Sequence, residues 1–303
     1  MTASGRSPFE ARTEDGLVLR GDVIGPAAPR AIAITLHAMM VNRRTIDRPA
    51  NGGLCSVLAE SGITVVNVDF RGHGTSDSAP GERPDHSYDD FVLLDVPAII
   101  AAIRRKWPGV PIAVVGHSLG GHVSLITSGL LPDRAPDALV MLAANLWLPR
   151  TEPNAALRAK KAAFLTAFSA VANTFGQFNS KLFRVGTDTE SAVYADQFVR
   201  FWRNNALASR DGSVDYEAAL ARARLHVYSI ASEGDKLLAN PASVQGFTNL
   251  ASNARVTHRV VAHGELGSRA PSHMELVTSS ASKPLWLDIA RYLHSTLRPK
   301  NTE

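Results

Sequence analysis

Short apolar runs with no polar face limit this chain to few folds. They occupy residues 31–36, 63–70, 111–117 and 137–145. A strand that is apolar on both faces needs helices on both sides of its sheet, as in parallel sheets. Segments with helical spacing follow these runs, so strand and helix alternate along the chain. This alternation predicts an α/β fold with a mostly parallel central sheet and right-handed crossovers.

Two regions depart from the alternation. Residues 9–24 form β-prone runs around Asp15-Gly16, which predicts a hairpin. Residues 147–217 are helical and loop-like, and strands resume after them. Because 303 residues suit one core with an insertion, we expect a core of 1–146 and 218–303 and a helical cap of 147–217. Most cap aromatics should hold the cap on the core: Phe164, Phe168, Phe175, Phe178, Phe183, Tyr194, Phe198, Phe201 and Trp202.

The amino-acid composition indicates which kinds of molecule this chain is expected to bind. The chain is 45% hydrophobic and 20% charged, which is typical of a globular protein. The net charge of +4 is dispersed, so no basic patch indicates nucleic-acid binding. No apolar stretch approaches a membrane span, and the N-terminal segment lacks a signal-peptide pattern, so a cytoplasmic location is expected. Cys55 is the single cysteine and is interpreted as a buried structural thiol. The composition is compatible with a homo-oligomer.

The segment Gly116-His117-Ser118-Leu119-Gly120 follows the third apolar run. A Gly-x-Ser-x-Gly turn between a buried strand and an amphipathic helix forces its serine into a strained corner, where strand and helix backbones approach closely. The Leu119 amide, at the helix N-terminus, is then placed to stabilise negative charge that develops on a substrate. The alternative interpretation is a tight turn or a helix N-cap serine.

With this turn and the segment VDFRGHGTSD at 68–77, the chain resembles the α/β-hydrolase superfamily over nearly its whole length. The resemblance implies the core and cap described above and a serine nucleophile at Ser118. In that family the 68–77 segment is usually structural, so His73 and Asp77 are expected to fix the loop. Within the superfamily, SEGDKLLANP and HMEL are similar to segments of predicted hydrolases of undefined substrate.

A serine needs a general base, and the base needs an orienting carboxylate. The order found with this elbow is serine, acid, histidine. By resemblance, Asp235 is the favoured acid, in a loop after a buried strand, with Glu233 as its competitor. His273 matches the family's histidine before the last helix and is favoured over His263.

The second oxyanion donor comes, in the family, from a loop that commonly begins His-Gly. Here Ala38 replaces the glycine, and the resemblance assigns the donor to the Met39 amide beside that of Leu119. Candidate substrate contacts are Met40, His117 and Trp147. Core packing is the alternative for Met40, and packing or capping for His117.

These residues predict a serine hydrolase that cleaves a small carboxylic ester with an apolar or acyl group through an acyl-enzyme. An acyltransferase with an alcohol or thiol acceptor and a non-catalytic binding protein are the alternatives. Glu152, Asp188 and Glu190 suggest a site for a substrate amine, which would favour an aminopeptidase, although surface carboxylates are the preferred interpretation. No Cys or His cluster has metal-ligand spacing and no GxGxxG follows a strand, so neither metal nor organic cofactor is expected.

Overall fold

The structure, a computed structural model, describes residues 5–78 and 84–297. The start of the segment examined for a signal peptide, and the outer ends of the expected core at 1 and 303, lie outside these residues. The strands are β1 Arg6–Arg12, β2 Val18–Ile24, β3 Ile32–Leu36, β4 Thr64–Val68, β5 Ile112–His117, β6 Ala138–Leu142, β7 Gln177–Asn179, β8 Thr189–Ser191, β9 His226–Ser232 and β10 Arg255–Val261.

Eight of these strands form one sheet in the order β1-β2-β4-β3-β5-β6-β9-β10. The predicted hairpin is present as β1 and β2, which pair antiparallel, and β2 also pairs antiparallel with β4. All remaining pairs are parallel. The expectation of a mostly parallel α/β sheet is therefore confirmed, and β5 lies at its centre with both faces buried.

Helices cover both faces of the sheet. They are α1 Leu54–Glu60, α2 Tyr88–Asp90, α3 Val96–Lys106, α4 Leu119–Leu130, α5 Ala155–Phe175, α6 Ala192–Asn204, α7 Tyr216–Arg222, α8 Pro241–Thr248, α9 Glu275–Thr278 and α10 Lys283–Thr296. A π-helical segment at Phe91–Asp95 joins α2 to α3 just before Pro97, where the sequence predicts an irregularity. Among the described residues, none of the helices combines the length and apolarity that crossing a membrane requires.

Helix α4 differs from the expectation of an amphipathic helix. Each of its residues except Leu130 is buried. Helix α7 lies directly across its outer face, and a Cβ at Gly129 would come within 1.8 Å of the Ala219 carbonyl oxygen. A helix that is covered on every side needs no polar face.

Between β6 and β9 the chain forms α5, the two-stranded ribbon of β7 and β8, α6 and α7. The ribbon is not predicted from the sequence. Phe168, Tyr194 and Phe201 are buried, and the rings of Tyr194 and Phe201 pack against Tyr88 of the core. Phe175 and Phe183 are 63% and 48% exposed. These two do not hold the cap on the core.

Candidate active site

Ser118 occupies a strained corner between β5 and α4. Its backbone has φ 50° and ψ −111°, a conformation that costs free energy in any residue with a side chain. The flanking glycines permit this turn. A Cβ at Gly116 would lie 2.3 Å from the Gly121 nitrogen, and one at Gly120 would lie 2.4 Å from the Leu36 carbonyl oxygen. The local fold therefore requires glycine on both sides of a half-buried serine.

Asp235 and His273 come together although 38 residues separate them. His273 Nδ1 lies 2.6 Å from Asp235 Oδ2, while Asp235 Oδ1 accepts the Leu238 amide at 3.0 Å. Burial alone would raise the pKa of Asp235, but the hydrogen bond and charge of His273, together with the Ala239 and Leu238 amides, outweigh burial and lower that pKa. The carboxylate holds a proton on Nδ1, which leaves Nε2 as the basic nitrogen.

His117 brings the His273 loop against the elbow. Its Nε2 donates to the His273 carbonyl at 3.0 Å, and the two rings lie 4.8 Å apart. Burial and the neighbouring His273 lower the pKa of His117 to about 3, so the ring is neutral. Its complete burial leaves no surface for a substrate, in contrast to the contact considered from sequence.

Ser118 Oγ and His273 Nε2 have no hydrogen-bond partner within residues 5–78 and 84–297. The competing pair is engaged elsewhere, because the exposed Glu233 accepts the His263 amide at 2.8 Å. His263 Nδ1 in turn accepts the Ala270 amide at 3.2 Å. The structure thus brings the imidazole of His273, and not that of His263, into contact with a carboxylate of the acid loop.

Two backbone amides near the elbow are free to bind an anion. Leu119 is the first residue of α4, so its N–H has no intrahelical partner. Neither this amide nor that of Met39 donates to another group in the described part of the chain. His37 fixes the Met39 loop: its Nε2 accepts the Phe70 amide at 3.1 Å, and its Nδ1 lies 2.7 Å from the Ala38 carbonyl.

The other two expected substrate contacts lie beside this site. Met40 is only 5% exposed and belongs to the hydrophobic core, which agrees with the packing alternative. Trp147 donates its indole N–H to the Leu238 carbonyl at 2.7 Å, which fixes it next to the acid loop. Its ring packs against Phe164 and Phe198 of the cap.

The interpretation of the three acidic residues as surface carboxylates is wrong for two of them. Glu152 and Glu190 are 1% and 0% exposed. Glu152 Oε2 lies 2.8 Å from Lys161 Nζ, and these two residues form a buried ion pair. Asp188 Oδ1 accepts a hydrogen bond from the Gly74 amide at 2.8 Å. All three carboxylates are therefore occupied by partners within the chain.

Glu190 belongs to a cluster that sequence reasoning missed. His73 Nε2 lies 3.1 Å from Glu190 Oε1, and His86 Nε2 lies 3.0 Å from Oε2. One ligand-type atom from each residue lies within 4.8 Å of the others, so these three side chains form a donor set of the kind that holds metal ions. The spacing of 104 and 117 residues gives no sequence signal. The expectation from sequence concerned ligand spacing along the chain, and this cluster is formed only by the fold.

Comparisons with known proteins show the family and the fold of this chain. The profile of the family described as "Serine aminopeptidase, S33" matches residues 29–264, well over half of the chain. The chain belongs to this family of α/β serine hydrolases. An esterase from Pyrococcus furiosus shares the fold with a TM-score of 0.65 and 17% identity, covering 97% of this chain and 92% of that one. A putative aryl esterase from Burkholderia cenocepacia has a TM-score of 0.60 and 15% identity, covering 96% and 99%.

Curated relatives of this S33-family chain match shorter stretches. Human "Lipase member N" is 27% identical over 141 residues, which cover 42% of this chain and 35% of the relative. A "Serine hydrolase-like protein" from Danio rerio is 30% identical over 133 residues, covering 43% and 36%. The chain thus spans little more than a third of the length of either relative.

Proposed function

We propose that this chain hydrolyses a carboxylic ester through an acyl-enzyme, with Ser118 as nucleophile, His273 as general base and Asp235 as the residue that orients it. The hydrogen bond between His273 and Asp235, held against the elbow of a strained serine, carries this proposal. We assign the core to 1–146 and 218–303 and the cap to 147–217.

In the proposed reaction, Ser118 Oγ attacks the ester carbonyl while His273 Nε2 takes its proton. The carbonyl π electrons move to oxygen, and the Met39 and Leu119 amides bind the resulting oxyanion. Collapse of this intermediate expels the alcohol, which receives the proton from His273. Water, deprotonated by the same nitrogen, then attacks the acyl-enzyme and releases the acid and Ser118.

The acidic residues favour an ester over a peptide with a free amino terminus. A substrate ammonium group needs an unpaired carboxylate, and Glu152, Asp188 and Glu190 already accept bonds within the chain. The partly buried Met39 offers apolar surface at the proposed oxyanion donor, which suits an acyl chain. Relatives named lipase and esterase support the same choice.

The test is a panel of p-nitrophenyl esters from acetate to decanoate, together with aminoacyl p-nitroanilides. We expect turnover of esters by the wild type and none above background for Ser118→Ala. Exclusive turnover of the anilides would contradict the ester assignment. Repeating the assay with added alcohols and thiols, and analysing the products, shows whether water is the acceptor. Acyl transfer in preference to hydrolysis would identify an acyltransferase instead.

A further inference from the structure

The cap ribbon fixes the backbone of Met40 on both sides. The Glu190 carboxylate accepts the Met40 N–H. The Met40 carbonyl accepts the amides of Thr187 at 2.8 Å and Asp188 at 3.0 Å. Met40 also has φ 63°, a left-handed conformation that is unfavourable for a non-glycine residue. These contacts from the cap hold the loop in a conformation that it would not adopt alone.

Glu190 is itself held in place by two histidines of the core. His73 Nδ1 lies 2.8 Å from the Arg71 carbonyl, and its Nε2 faces the carboxylate. Since both partners can only accept, both ring nitrogens carry protons and His73 is an imidazolium ion. Burial alone would lower the pKa of His73, but Glu190 outweighs burial and raises it to about 9. His86 donates to the second oxygen.

A metal ion would need the same atoms in a different state. His73 Nε2 would have to lose its proton, and Glu190 Oε1 already accepts the Met40 N–H. The hydrogen bonds present satisfy both carboxylate oxygens and the two histidine Nε2 atoms that face them. A buried charge cluster is therefore favoured over a metal centre.

This cluster acts on the proposed oxyanion donor through the peptide groups on either side of Met39. The preceding peptide is held by His37, whose Nδ1 contacts the Ala38 carbonyl. The following peptide supplies the Met40 N–H that Glu190 accepts. Both peptide planes that flank Met39 are thus pinned, one by the core and one by the cap. The direction of the Met39 N–H depends on both.

We propose that Glu190 is a positioning residue: held by His73 and His86, it aligns the Met39 amide for oxyanion binding and makes docking of the cap ribbon a condition of a competent site. This inference rests on the proposed function. It assigns the cap a part in assembling the catalytic machinery, beyond covering it.

Glu190→Gln tests the proposal, because it keeps the shape but replaces one accepting oxygen with an NH₂ group that faces an N–H donor. We expect kcat to fall about 10- to 100-fold, as for a misplaced catalytic group, with KM within about twofold. The rate of Ser118 phosphonylation by a fluorophosphonate should fall in parallel, since that reaction uses the same oxyanion donors. Leu182→Ala is the control in the turn that joins the two ribbon strands: this side chain is 78% exposed, so the bonds to Met40 stay in place and kcat should stay within about twofold.

Urea unfolding of each variant separates misalignment from loss of folding. If Glu190→Gln does not fold, His86→Gln removes a single donor and should still lower kcat without raising KM. A folded Glu190→Gln enzyme with wild-type kcat, or with a loss confined to KM, would overturn the proposal. So would stoichiometric zinc in the purified protein whose removal abolishes turnover. If the wild type is active and Glu190→Gln has the same kcat, only the positioning role of Glu190 is refuted. If the wild type is not labelled at Ser118, the proposed function is refuted as well.

Discussion

Replacing Asp235 with asparagine should abolish most activity while leaving the fold intact. Oδ1 of the asparagine can still accept the Leu238 amide, so its NH₂ group takes the place of Oδ2, 2.6 Å from His273 Nδ1. An NH₂ group donates to Nδ1 and selects the tautomer with its proton on Nε2. That nitrogen then has no lone pair with which to accept the Ser118 proton.

The magnitude follows from this inverted tautomer. Loss of the correct tautomer in a Ser-His-Asp site lowers kcat by about 10⁴-fold, which corresponds to roughly 5 kcal/mol of transition-state stabilisation. Stability should fall much less. A hydrogen bond to a charged group contributes about 1.5–3 kcal/mol, and the asparagine retains the bond to Leu238.

The assay is ester hydrolysis at saturating substrate for Asp235→Asn, with urea unfolding of the same preparation. Glu233→Gln is the matched control, because that carboxylate lies two residues away, is exposed and, within the described residues, forms a hydrogen bond only with the His263 backbone. Its kcat should stay within about twofold of the wild type. Retention of more than about a tenth of activity by Asp235→Asn, or a large loss in Glu233→Gln, would refute the assignment of the acid.

Three other perturbations have outcomes that follow from the packing. Gly120→Ala places a Cβ 2.4 Å from the Leu36 carbonyl oxygen, so urea titration should show at least about 1–3 kcal/mol lost; an unchanged midpoint would contradict this contact. Burial lowers the pKa of His122 to about 3, so below pH 6.5 only the unfolded state binds its proton, and stability falls by about 1.4 kcal/mol per pH unit. His122→Phe should make the acid slope of the unfolding free energy shallower by about that amount, and an unaltered slope would refute a neutral buried imidazole. Lys161→Met leaves the Glu152 carboxylate buried without its ion-pair partner and should lower the free energy of unfolding, measured by urea titration, by about 3–5 kcal/mol. Recovery of this free energy in the double variant with Glu152→Leu would confirm the cause.

The local pattern of apolar residues was sufficient to predict most strands of the core. Runs with no polar face predicted the parallel strands, because burial on both faces has no other common solution. The glycines of the elbow predict a close approach of strand and helix, and in the structure a Cβ added at Gly116 would lie 2.3 Å from the Gly121 nitrogen. The prediction of an amphipathic α4 is wrong, because the sequence gives no sign that α7 crosses its outer face.

Long-range polar pairing was not predictable. Charged residues are assumed to be exposed unless a partner is known, and the partners of Glu190 lie 104 and 117 residues away at His86 and His73. The sequence favours Asp235 and His273 over their neighbours by resemblance and by the distance of each residue from the strand before it. In the structure, the hydrogen bond between them and the separate engagement of Glu233 give that preference a physical basis.

The central claim is that Ser118 is an activated nucleophile. It is tested most directly by labelling the purified protein with a fluorophosphonate and mapping the modified peptide. We predict an adduct on Ser118 in the wild type, no adduct in Ser118→Ala, and much slower labelling in Asp235→Asn and His273→Ala. A folded wild type that takes no label at Ser118, even from a small probe, would contradict the account and favour a binding protein on the same fold.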